Sequence, residues 1–188
     1  LGEGGGRVRV GPSTPFVALS AVDIPSDQGG WVRVTVRRSF LDHMYGLPAV
    51  STYGVWRYIP GTIPALAPDG RPVAPLSHRL GTTALRSLHA RLPAALDARE
   101  VDGRLIVTGS RSPELAAAFP PGTWELVATV PAVQQAQYVV AVPTISNATP
   151  NDFVMTAHTT TPSLWFITDP ISGESVDNLA PATPTMFT

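Results

Sequence analysis

Four histidines, His43, His78, His89 and His158, are the residues best suited to proton transfer or metal ligation. An imidazole does either only with partners at set spacing, such as two histidines four residues apart on a helix with a glutamate between them. The separations here are 35, 11 and 69 residues, so no metal site and no cofactor is expected. Asp97, Glu100 and Asp102 crowd together, but they flank an Asp-Gly pair and read as solvated turn and strand-end residues rather than the acid pair of a glycosidase. No GxSxG elbow is present, and the GEGGG run near the start lacks the lysine and Ser/Thr of a phosphate loop. With no cysteine, thiol chemistry and disulfides are excluded together. The chain is therefore expected to be non-catalytic.

Two other groups of residues bear on binding. Asp23 and Asp27 sit in DIPSDQGG, residues 23–30, where a calcium loop would need several more converging oxygens; proline, aspartate and paired glycines there read as a turn. Aromatic side chains are the stronger candidates. Trp56, Tyr58, Trp124 and Trp165 lie on or beside candidate strands, and exposed rings on a rigid sheet can stack on a sugar or anchor a protein partner. The competing reading places Trp56 and Trp165 under an insertion, covering the outer face of a sheet.

The elements that must position these residues follow from periodicity. Val32, Val34 and Val36 alternate with Arg33, Thr35 and Arg37, the period of two of a strand with one face buried. In TYGVWRYI, Tyr53 and Val55 are expected to face the core, with Trp56 and Tyr58 on the outer face under cover. PFVALSAV, TWELVATV, QYVVAVPT, DFVMTAHTT and SLWFITD complete a set of seven strands. On DFVMTAHTT, His158 alternates away from Ala157 and is expected on the wet side.

Residues 60–121 interrupt that pattern. Five prolines in 60–75 make a connector rather than a central strand. Leu85, Leu88, Leu92 and Leu96 recur at helical spacing, with Pro93 expected to kink or divide the segment. Asp102-Gly103 between short apolar arms signals a hairpin, and Ser112-Pro113-Glu114 signals a helix start. His89, on the first helix, is expected at the surface or bridging to a neighbour.

The chain's 188 residues suffice for one core with an insertion. Its 14% charged content and formal charge of −1 carry no nucleic-acid footprint, and no apolar run is long enough for membrane insertion. All 13 basic residues are arginine.

VRVTVRRS, TYGVWRYI, DFVMTAHTT and GESVDNLAPATP resemble strands of a fibronectin type III domain, of the kind repeated in large secreted bacterial proteins. In that resemblance a DxPxDQGG entry and an SVDNLAP exit bracket one module. Val36 stands where the family often has a buried Trp, and Phe153, Met155 and Ala157 match its Tyr-x-Val-x-Ala face, Phe153 without the tyrosine hydroxyl. The resemblance implies an all-β, immunoglobulin-like sandwich of seven strands over residues 17–180, with an αβ insertion at 60–121, a leader or added strand at 1–16 and an interdomain linker at 181–188. It also implies a secreted or cell-surface structural or protein-interaction module. Its partners would be neighbouring domains or identical subunits, the latter in a fibre where RVRVG or VDNLAPATPTMF adds to a neighbour's sheet edge. A carbohydrate-binding accessory domain of a secreted hydrolase is the alternative, with a glycan held by the aromatics and the loops near 42–50 and 147–151.

Overall fold

The computed structural model describes residues 16–60, 80–92, 96–109, 119–162 and 164–179. The leader before Phe16, the helix start at Ser112-Pro113-Glu114, His78, Pro93 and the 181–188 linker lie outside the described residues, as does the RVRVG strand-addition segment.

Two antiparallel sheets pack face to face in an immunoglobulin-like sandwich. The smaller contains β1 (Ala18–Asp23), β2 (Trp31–Arg37) and β7 (Gln137–Pro143), in the order β1-β2-β7. The larger runs β10 (Ile171–Gly173), β8 (Asn151–Thr159), β3 (Val50–Ile59), β6 (Gly122–Pro131), β5 (Arg104–Gly109) and β4 (Asp97–Val101), with β9 (Trp165–Ile167) also on β8. The β4–β5 hairpin of the insertion thus widens this sheet instead of standing apart. Its tip is Asp102-Gly103, both residues at positive φ (50° and 73°), the two-residue turn whose twist matches the flanking strands.

Alternation on the strands creates two cores. Val32, Val34 and Val36 meet Tyr53, Val55, Phe153, Met155 and Ala157 between the sheets. The opposite sides of β3 and β8 carry Trp56 and Val154, which pack outward under the insertion. There α1 (Thr82–His89) buries Leu85 and Leu88, and Leu92 follows them into the same cluster with Leu105, Val107, Phe119 and Trp124. A bulge in β6 serves both layers. Val55 pairs with Ala128 but Trp56 with Leu126, so Val127 is the extra residue, and it joins Ala128 in the inner core while Leu126 stays in the outer one.

Strand direction defines two poles. β1 runs towards the pole formed by residues 23–30, 144–151 and 173–179, where the chain also leaves β10. The other pole carries the β2–β3 loop, the β6–β7 turn at 132–136 and residues 159–162, together with the start of β1.

Candidate interaction site

The four aromatic candidates do not form an exposed platform. Trp56 and Trp124 are 0% and 2% exposed, and Tyr58 and Trp165 are half-buried. Phe119 closes over Trp56 edge-on and stacks on Trp165, while Tyr58 packs against Trp124. Indole N–H groups are satisfied internally, Trp56 Nε1 by Thr156 Oγ1 at 2.9 Å and Trp124 Nε1 by the Pro120 carbonyl at 2.9 Å. These rings anchor the insertion to the sheet.

His158 corrects the sequence expectation. It points away from the inner core, as alternation requires, yet it is 1% exposed, with Trp165 of β9 stacked on its ring and Arg91 of the insertion beside it. Its Nε2 bonds Thr156 Oγ1 at 2.8 Å, its Nδ1 has no partner, and its ring stacks parallel to Trp165. Burial, with the nearby Arg91 guanidinium, pushes its pKa down to about 4, so the imidazole is neutral at pH 7. Arg91 itself donates to Ser51 Oγ at 2.8 Å and to the Thr159 carbonyl. His89 lies within 3.3 Å of Glu100 on β4, bridging α1 to the hairpin beside an open depression lined by Arg86, Ala90 and the same pair. His43 is on the β2–β3 loop and caps Tyr45 N through Nδ1. These three histidines are dispersed, and no group of three or more His, Asp or Glu among the described residues is placed to hold a metal.

Two buried ionic or polar networks stiffen the sandwich. Glu125 accepts from Arg57 Nη2 at 2.7 Å and Arg104 Nε at 2.5 Å. Burial alone would raise its pKa, but the two guanidiniums outweigh that and hold it below the usual carboxylate value. Arg57 also donates to the Pro143 carbonyl on the facing sheet. At the loop pole, buried Asp42 takes hydrogen bonds from Tyr53 Oη at 2.8 Å, Tyr138 Oη at 2.5 Å and Gln134 N at 3.1 Å. Tyr53 Oη in turn accepts from Ser39 N, and Tyr138 Oη from Val133 N. Desolvation raises both phenol pKa values, and the neighbouring carboxylate adds to the effect, so both hydroxyls stay protonated donors.

Above Asp42 the β2–β3 loop displays Met44, Tyr45 and Leu47 at 70%, 79% and 88% exposure, with Val133 on the adjacent turn at 56%. Backbone hydrogen bonds brace the loop beneath them. Gly46 N donates to the His43 carbonyl, Val50 N to the Leu41 carbonyl, and a side chain at Gly46 would collide with the Leu41 carbonyl. In sequence this was legible only as a loop with apolar content near 42–50; the cluster of Met44, Tyr45 and Leu47 around Gly46 was the available signal.

At the opposite pole, DIPSDQGG is the turn that its composition implies, and it is also half of a clasp. Asp23 accepts from Val176 N at 2.9 Å and Asn178 Nδ2 at 2.7 Å; Asn178 Oδ1 accepts from Asp27 N at 3.0 Å. Ser175 Oγ bridges Gly30 N, Thr144 Oγ1 and Asn147 Oδ1, tying in the β7–β8 turn. Asp27 itself turns its carboxylate onto Gly29 N. Gly29 and Gly30 are at φ 74° and 85°, and a side chain on Gly29 would strike Asn147.

No family model, curated protein or solved structure matches this chain. No helix among the described residues is long and apolar enough to cross a membrane.

Proposed function

We propose that this chain is a non-catalytic contact module of a secreted or cell-surface protein, which holds its neighbours at a fixed separation and direction. The observation that carries the reading is the clasp. It fastens the first turn of the sandwich to the segment that leaves it, across 151 to 155 residues of sequence, so the exit direction is set by the fold. A catalytic site needs polar groups converging on an accessible reacting atom. The polar groups that converge here, around Asp42, Glu125 and His158, are buried away from any reacting atom, and their hydrogen bonds are made within the fold, with His158 Nδ1 and Arg57 Nε left unpartnered. The carbohydrate-binding alternative depends on a ring platform that Trp56, Tyr58, Trp124 and Trp165 do not supply.

Force spectroscopy between residues near 16 and 179 tests the reading. One cooperative rupture is expected, at lower force in the Asp23→Ala, Asn178→Ala double variant. Gradual extension at low force, or a double variant as strong as wild type, would sink the spacer role.

A further inference from the structure

The two poles of the sandwich differ in a complementary way. At the loop pole, Met44, Tyr45, Leu47 and Val133 are the most exposed apolar group, and the charges in the loop and its flank are Arg37 and Arg38; the single acid in residues 37–49, Asp42, is buried. At the clasp pole, Val176 and Leu179 are exposed at 44% and 45%, amid Asp23, Asp27, Asp152, Glu174 and Asp177. Residues 23–30, 144–152 and 173–179 contain no arginine, lysine or histidine. The poles face opposite ways along the strands.

Resting on the contact-module reading, we propose that the loop pole of one copy docks on the clasp pole of a second copy, head to tail. Each pole offers an apolar centre with a charged surround, and the signs are opposite, which favours this pairing and steers its encounter. A symmetric contact of two loop poles would set Arg37 and Arg38 against themselves, and two clasp poles would face five acids with five. Both surfaces are pre-formed. The Asp42 network holds the loop and the Asp23–Asn178 bonds hold the clasp, so docking orders little new chain. A head-to-tail contact leaves one free pole at each end of a pair, so copies add in a line.

Sedimentation equilibrium of the full chain at low and high ionic strength tests this. Wild type is expected to exceed dimer mass as concentration rises and to dissociate with salt. Tyr45→Ser with Leu47→Ser, and separately Val176→Ser with Leu179→Ser, should each weaken self-association about tenfold or more. Mixed one to one, the two variants should form a dimer that does not grow, because one intact loop pole meets one intact clasp pole. All four positions are exposed, and unchanged thermal melting verifies folding. A monomeric wild type, a variant that self-associates like wild type, or a mixture that stays monomeric overturns the docking. Loss of docking with a cooperative force rupture rejects this contact alone; loss of the rupture rejects the module reading beneath it.

Discussion

Acidification through the histidine range should loosen the insertion before anything else, and His158 sets the size of the effect. The imidazole is sealed between Thr156, Trp165 of β9 and the residues that follow α1, with Arg91 as the nearest charge and no carboxylate in contact. Its folded pKa is about 4 against an ordinary 6.5. Between those values the unfolded chain binds a proton that the folded chain refuses, so stability is full above pH 6.5, falls as pH drops towards 4 and is flat in this respect below it. The gap is worth about 3 kcal/mol, a large part of the roughly 5–15 kcal/mol that holds a domain together. Urea unfolding of wild type and of His158→Met at pH 7.5, 6.5, 5.5 and 4.5 isolates the term. Wild type should lose about 3 kcal/mol more than the variant across that span. Glu125, held below 4.5, enters only at lower pH: its stabilisation is present above the unfolded value and lost as pH falls through the folded one. Parallel losses in wild type and His158→Met would refute a buried neutral imidazole.

Other perturbations follow from the same contacts. Tyr53→Phe removes one of three donors from buried Asp42 and the acceptor of Ser39 N, and should cost about 1–3 kcal/mol in denaturant. Glu125→Gln leaves Arg57 buried without its anion and should cost about 3–5 kcal/mol, more than Arg104→Gln, because Arg104 is partly exposed. Leu88→Ala opens the outer core and should cost about 2–5 kcal/mol, with hydrogen-exchange protection lost in residues 85–92 and 105–107 before the β2–β7 pairing. Gly122→Ala forces a side chain into a position at φ 119° whose Cβ would meet Tyr58; it should lower the melting temperature, whereas Gly103→Ala, with open space around it, is burdened by its backbone alone.

Local chemistry was readable in the sequence to the extent that its cause is local. Val32, Val34 and Val36 declare a buried face because alternation is a property of the strand itself, and Asp102-Gly103 declares its turn because two residues suffice to make it. The facing of His158 was equally legible, but its burial was not, since its neighbours Trp165, on β9, and Arg91, after α1, come from distant segments. Asp42 looks like an ordinary loop aspartate until Tyr53, 11 residues on, and Tyr138, 96 residues on, reach it. DIPSDQGG likewise shows its turn but conceals the clasp, whose partner Asn178 is 155 residues from Asp23.

The insertion bears on where a partner can touch this protein. In a bare sandwich the outer face of β3 and β8 would be the broadest available surface, and its Trp56, Val154 and Trp165 would make it apolar. Here that surface is spent on α1 and the hairpin-bearing segment, which convert it into a second core. On the smaller sheet, the outward residues Arg33, Thr35 and Arg37 of β2 are polar, a poor seat for a dry contact. Among the described strands β4 and β7 each end a sheet; β4 carries Asp97, Arg99 and Glu100, whereas the exposed Gln137, Val139 and Ala141 of β7 are uncharged, so β7 is the stronger lateral competitor, and strand pairing along its edge would not involve either pole. The pole variants separate the two geometries: edge pairing survives both double substitutions undiminished, whereas a head-to-tail line is cut by either one and is restored as a single dimer only when the two are mixed.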